Sequence, residues 1–220
     1  MAPAPAIRKP DALALESSRA FLAAMSHRRS IRSYSDEPVP WELIENAVRV
    51  AARAPSGANQ QPWRFVIVAD PVIKARAREL IEAEERETYL HRASDEWLDA
   101  LAPLGTDWHK DHITRAPYVA VVFAQPYGLH KRDGALHKVK HYYVNESVGI
   151  AVGFFLASLT LAGLSTLTHT PNPMGFLGAL LKRPENERAF AVIPIGYAAD
   201  GAQVPAIAKK RLEDVLMRMD

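Results

Sequence analysis

There is no cysteine among the 220 residues of the chain. That absence removes a disulfide scaffold, a thiolate metal site and a cysteine nucleophile together. Excess charge of one sign is also missing: 27 Lys and Arg stand against 25 Asp and Glu, and although the pI is near 8.8, no long basic run accompanies it. The electrostatic footprint of a nucleic-acid binder is therefore lacking, and no nucleic-acid partner is expected. The eight histidines show no ligand spacing such as H-E-x-x-H, so no metal site is expected. Long uncharged apolar runs are scarce, the exception being Ser147 to Leu164 (SVGIAVGFFLASLTLAGL), roughly the length a bilayer demands. Asn145, Glu146 and two tyrosines precede it and no basic anchor follows, which favours a central buried helix over a membrane span.

What is present is the balance of a globular protein, 48% hydrophobic and 24% charged, at a length suited to one domain over residues 1–220. Proline and charge interrupt the first seventeen residues, MAPAPAIRKPDALALES, so residues 1–10 are expected to form a mobile arm leading into a helix rather than an export signal. A cytoplasmic setting fits the lack of cysteine.

Helical spacing marks Asp11 to about Met25 and Pro40 to Ala54, the second opening on a proline at the helix start. Trp63 to Ala69 reads as a buried strand. Asp70-Pro71 supplies an N-cap and a first-turn proline for a charged helix running to about residue 92, and a Trp-containing segment continues to about His112. Pro117 to Ala124 is another apolar strand, and the Lys/His/Gly-rich stretch 128–140 is expected to be a surface loop. The apolar helix, a strand near 165–168, a Pro/Asn/Gly loop, a short helix, a strand over 189–195 and a long tail complete the chain. Helices alternate with only about four or five strands, and the apolar helix carries more hydrophobic surface than one small sheet can cover. A homodimer would bury the rest.

Two stretches stand out chemically. His27 to Tyr34 holds three arginines and two serines in eight residues. It reads either as a bidentate anion site or as an exposed basic turn. Ala54 to Trp63 (APSGANQQPW) is a small-residue turn before a buried strand, able to bring backbone groups close to a planar ligand or merely to connect two elements.

In order and separation, RRSIRSY, the helix after PVP and APSGANQQPW resemble the N-terminal half of the nitroreductase superfamily, whose members bind FMN at a dimer interface. The resemblance implies a nitroreductase-like α+β fold, with a central mixed β-sheet surrounded by helices and a C-terminal arm, about residues 198–220, exchanged in a homodimer. It also implies that Arg28, Arg29, Ser30 and Arg32 hold the FMN phosphate and ribityl chain, and that Pro55, Ser56, Gly57 and Ala58 line the flavin ring. Further along, IEAEERETYLHRASDEWLDALAPLGTDWHK is similar to the iodotyrosine deiodinase branch, whose substrate residues fall on Glu85, Tyr89 and Lys110 within a lid of about residues 82–112. Ala58 would offer a backbone amide to the substrate phenolate. Thr168, His169 and Thr170 would face the flavin, with the Thr170 hydroxyl at N5 favouring one-electron over hydride chemistry. His169 stands where that branch carries threonine, and Lys209 where it carries a phosphate-binding arginine.

The substrate residues make chemical sense apart from the resemblance. Glu85 and Tyr89, four apart, share a helix face. An amino-acid zwitterion needs a carboxylate for its ammonium, a lysine for its carboxylate and a phenol to orient or stack it. The activity that the resemblance implies is reductive dehalogenation of halotyrosines, with electrons from NAD(P)H directly or through a partner reductase. The alternative is a general NAD(P)H-dependent nitroaromatic or quinone reductase.

Overall fold

The computed structural model describes residues 3–5 and 7–220. The arm expected over 1–10 falls partly outside the described residues; 3–5 and 7–10 are exposed and form neither helix nor strand. Helix α1 (Asp11–Ser26) follows, then α2 (Trp41–Ala51), β1 (Trp63–Val68), α3 (Pro71–Glu87), α4 (Asp95–Leu101) and α5 (His112–Arg115). The second half runs β2 (Tyr118–Ala124), β3 (Tyr127–Arg132), β4 (Ala135–Lys140), α6 (Val144–Leu161), β5 (Ser165–Thr166), α7 (Gly175–Leu180) and β6 (Arg188–Gly196).

The main sheet has the order β1-β2-β6-β5, and every ladder is antiparallel. The parallel component expected of a mixed sheet is confined to an isolated bridge between Ser30 and Thr166, because helical connections do not by themselves fix strand direction. Strand alternation sorts the core into two layers. Ala120, Val122 and Ala124 of β2 pack with Ile44 and Ala47 of α2 and with Val148, Val152, Phe155 and Leu159 of α6. Val119, Val121 and Phe123 face the other way, onto Ala77 and Ile81 of α3, Ile113 of α5 and Leu177 of α7. Burial on both faces explains why β2 reads in sequence as a continuous apolar run.

Helix α6 packs in the core as expected, with Ser147, Val148, Ala151, Val152, Phe155 and Leu159 buried, although by length and composition alone it could cross a membrane. Its other side leaves Ile150, Phe154 and Leu161 exposed, and α1 buries no residue at all, exposing Leu13, Leu15, Phe21 and Leu22. Beyond β6 the tail has only a short helical turn, Leu212–Asp214, and exposes Ile207, Val215, Leu216, Met217 and Met219.

Residues 128–140 are not a loop. They lie in the β3–β4 hairpin, paired from Tyr127↔Lys140 to Arg132↔Ala135. The turn is Asp133-Gly134, both at positive φ (51° and 81°), the conformation that closes a two-residue hairpin. Polar composition concealed the strands, while the Asp-Gly pair was their signal.

The helix start at Asp70 is as expected: its side chain accepts from the backbone N–H of Val72 and Ile73, with Pro71 in the first turn. Asp70→Ala removes both bonds and should cost about 1 kcal/mol. A thermal melt should show Tm lowered by about 2–4 °C for a domain of this size.

Candidate functional site

The last turns of α3 carry four glutamates, and their neighbours separate their roles. Glu82 is held by Arg78 (Nε–Oε1 2.7 Å) and accepts the backbone N–H of Lys110, while Glu84 pairs with Arg92 at 2.8 Å. Glu85 instead turns into a cleft of ≈ 390 Å³, lined also by Arg32, Tyr89, Lys110, His112, Thr168, His169 and Thr170. After Glu87 the helix widens into a π-type turn over Thr88–Arg92, and Tyr89 sits in that turn. Such local widening is frequent at functional sites. Thus α3 and its continuation bring Glu85 and Tyr89 together, and the chain returning from α4 supplies Lys110.

The Lys110 ammonium is almost fully buried, 3.2 Å from Glu85 Oε2, and also donates to the Asp107 carbonyl. It lies 5.6 Å from the Tyr89 ring centroid, within cation–π range. The Tyr89 hydroxyl donates to the Thr106 carbonyl (3.3 Å), and Trp108 meets the ring edge-on at 6.1 Å. Burial, with the negative charges of Glu85 and Asp107, raises the Tyr89 pKa against the lowering effect of that hydrogen bond, so the phenol stays a proton donor near neutrality. Burial pushes the Glu85 carboxyl up, but the His169 hydrogen bond and the Lys110 charge together outweigh it and hold the group below its usual range. Glu85 is therefore an ion at neutral pH.

His169 and His112 were not expected to take part in this cluster. His169 Nε2 is 3.0 Å from Glu85 Oε1, and its ring meets that of His112 edge to face at 6.0 Å. Among the described residues, His169 Nδ1 and His112 Nε2 are buried without a hydrogen-bond partner. Burial, reinforced by the neighbouring His169 and by the positive charges of Lys110, Arg32 and Arg78, lowers the His112 pKa to about 3. The unfolded chain therefore takes up a proton near pH 6.5 that the folded chain refuses until about pH 3, and stability must fall as pH drops below 6.5. Between pH 6.5 and 5 the loss should be about 2 kcal/mol, at up to ~1.4 kcal/mol per pH unit. Melting curves over that range should show it, and His112→Gln should flatten the dependence. The depressed carboxyls, Glu85 and the buried Glu187, add their own loss only below about pH 4.5.

Arg32 also lines a second cavity of ≈ 290 Å³, where it is joined by Arg28, Arg29, Ser30, Pro205, Ile207 and Lys209. All four predicted phosphate residues and Lys209 thus meet in one place. The Ser30–Thr166 bridge and the Ile31 N–H to Thr166 carbonyl bond (3.0 Å) fix the basic link to β5. Arg29 donates to the Pro205 carbonyl and so ties down the tail. Among the described residues, the half-buried guanidinium groups of Arg28 and Arg32 have no hydrogen-bond or ion-pair partner. Half-buried cations without partners are costly unless an anion completes them.

Pro55, Ser56, Gly57 and Ala58 line neither cavity. Their turn packs instead beside the start of α6: Gly57 N–H reaches Ser147 Oγ (3.4 Å), and a Cβ on Gly57 would lie 2.9 Å from the Tyr142 carbonyl. Ala58, Asn59 and Gln61 all hold left-handed backbone conformations (φ 49°, 53° and 48°). Non-glycine residues pay for that conformation, and such strain gathers at functional sites. The cleft also uses residues the sequence did not single out: His112, Thr106 and the apolar Trp97, Leu98 and Leu101. Among these, His112 alone had a cue, its place two residues after Lys110.

Comparison with known proteins places this geometry. The model of the nitroreductase family matches residues 25–197. An iodotyrosine deiodinase of Haliscomenobacter hydrossis is 52% identical over 196 residues, covering 89% of this chain and 87% of the relative. One from Nematostella vectensis is 43% identical over 201 residues, covering 91% and 75%. The crystal structure of oxidized iodotyrosine deiodinase bound to FMN and 3-iodo-L-tyrosine matches with a TM-score of 0.74 at 30% identity, over 91% of this chain and 98% of that one. A BluB-like flavoprotein from Clostridium difficile 630, at 18% identity, TM-score 0.69 and coverage of 91% and 99%, shares the fold.

Proposed function

The chain belongs to the nitroreductase family, in its iodotyrosine deiodinase branch, and we propose that it is an FMN-dependent reductive dehalogenase that converts halotyrosines to tyrosine and halide. The observation that carries this reading is the meeting of Glu85, Tyr89 and Lys110 in one cleft that shares Arg32 with a basic cavity.

The donor chemistry of the basic cavity fits FMN. Three guanidinium groups, a lysine and a serine hydroxyl match a phosphate on a polyhydroxylated chain. Arg28, Arg29, Ser30, Arg32 and Lys209 would hold that end, while Thr168, His169 and Thr170 line the substrate cleft that shares Arg32 with it. When bound, FMN supplies the reducing equivalents that replace halogen by hydrogen. The Thr170 hydroxyl would donate a hydrogen bond to the flavin's reactive edge, and Thr170 is proposed as the catalytic residue of the protein itself.

The remaining chemistry is recognition. Glu85, ionised, accepts from the substrate ammonium; Lys110 pairs with the substrate carboxylate; the Tyr89 phenol orients the amino-acid end. Ala58, with its strained backbone, is proposed to offer its amide to the substrate phenolate. Residues 82–112 would close over the ring and exclude water. In one protomer the Pro55–Ala58 turn stands apart from the phosphate cavity, while α1, one side of α6 and the tail expose apolar side chains. We therefore propose a homodimer in which a partner covers that surface, the tail crosses over, and the turn reaches the other protomer's cofactor. Electrons would come from NAD(P)H, directly or through a reductase, in a cytoplasmic setting.

Calorimetric titration of the FMN-loaded protein with 3-iodo-L-tyrosine tests the reading. Saturable binding that is lost with Glu85→Gln is the expected result. Failure to bind, with turnover of nitroaromatics by NAD(P)H intact, would make the protein a general nitroreductase.

A further inference from the structure

The recognition residues are not independent. Glu85 and Lys110, proposed to hold opposite ends of a zwitterion, are paired with each other at 3.2 Å. A bound amino acid must draw the Lys110 ammonium toward its own carboxylate. Glu85 would then lose its most strongly charged neighbour just as it must keep a fixed aim at the substrate ammonium. One contact survives that exchange: Glu85 Oε1 to His169 Nε2, 3.0 Å, from a residue 84 positions away in the chain.

An ionised carboxylate only accepts, so His169 Nε2 carries a hydrogen and donates. His169 is itself anchored, because its backbone N–H and C=O both pair with Val192 of the central strand β6 (2.9 and 2.8 Å). The histidine therefore transmits the rigidity of the sheet to a carboxylate at the end of a helix. Its side chain points at the glutamate, not along the basic cavity, which it does not line.

We propose that His169 is a positioning residue for the substrate ammonium: it holds Oε1 of Glu85 from the sheet so that Oε2 is presented to the amino group as Lys110 turns to the carboxylate. This deepens the halotyrosine reading and rests on it. It assigns His169 to recognition of the α-amino group, where the resemblance had assigned it to the flavin.

A pair of isosteres isolates the contact. Glutamine places an amide N–H near Nε2, whereas asparagine reaches only the Nδ1 position. Calorimetry on FMN-loaded His169→Asn and His169→Gln should use two probes: 3-iodo-L-tyrosine and 3-(4-hydroxy-3-iodophenyl)propanoic acid, which keeps the phenol and carboxylate but lacks the ammonium. His169→Asn should weaken iodotyrosine binding about tenfold, in the range of one hydrogen bond to a charged group. The deamino acid should change by less than about twofold, and His169→Gln should restore iodotyrosine affinity to within about threefold of wild type. His169→Thr, shorter still, serves as a second loss variant if asparagine impairs folding or FMN content. Equal weakening of both probes, no weakening by asparagine and threonine, or glutamine no better than asparagine would overturn the proposal. If the wild type binds no iodotyrosine, the halotyrosine reading itself falls and takes this one with it, an outcome distinct from the other three.

Discussion

Lys110→Met is expected to lower kcat/KM for 3-iodo-L-tyrosine by about 10²–10³-fold, the cost of truncating one partner of a buried charge pair. Two losses combine. The substrate carboxylate would enter a nearly closed cleft with no cation beside it, and Glu85 would keep only His169 to offset its charge. Methionine retains the length of the side chain and its contact with the Tyr89 ring, so packing is largely conserved. Nitroaromatic turnover, which needs no partner for a zwitterion, should stay within about threefold of wild type. Steady-state rates, with dithionite as electron source for 3-iodo-L-tyrosine and NAD(P)H for the nitroaromatic, would check this. Parallel loss of both would mean that Lys110 supports the fold of the cleft rather than recognition of an amino acid.

The second large effect concerns the cofactor. Arg28→Ala together with Arg32→Ala should weaken FMN binding by about 10²–10⁴-fold, two charge-assisted contacts at about 1.5–3 kcal/mol each, and the protein should purify without its yellow chromophore. These two arginines are preferred to Arg29, whose guanidinium is engaged by the Pro205 carbonyl and whose loss would also release the tail. Fluorescence titration of the variant with free FMN gives the affinity directly. Because Arg28 and Arg32 have no partner among the described residues, their removal should leave the melting temperature of the FMN-free protein unchanged or raised. Retained FMN affinity would remove the basic cavity from the cofactor site.

The main elements could be read in the sequence where one physical signal dominated. Asp70-Pro71 marked a helix start, and β2 and β6 announced themselves as apolar runs because both of their faces are largely buried, while β1, at the sheet edge, is mostly half-buried and exposes Arg64. The β3–β4 hairpin was missed because its strands are solvent-exposed along almost their whole length, leaving only the Asp133-Gly134 turn to betray it. For the site, helical spacing placed Glu85 and Tyr89 on one face but could not choose among four glutamates. That choice was made by partners distant in sequence: Arg78 and Arg92 occupy Glu82 and Glu84, leaving Glu85 for Lys110 and His169. The His169–Glu85 contact depends on β6 holding one end and α3 the other, and no local pattern encodes such a meeting. The Pro55–Ala58 turn shows the reverse case: motif order singled it out, yet within the chain it stays away from the cavity holding Arg28 and Arg32.

The most direct test is a single anaerobic turnover. The FMN-loaded protein is reduced with dithionite, excess reductant is removed, 3-iodo-L-tyrosine is added, and flavin reoxidation is followed together with tyrosine and iodide. Reoxidation with one tyrosine and one iodide released per flavin is the expected result. A flavin that stays reduced with iodotyrosine but is promptly reoxidised by a nitroaromatic would contradict the dehalogenase function.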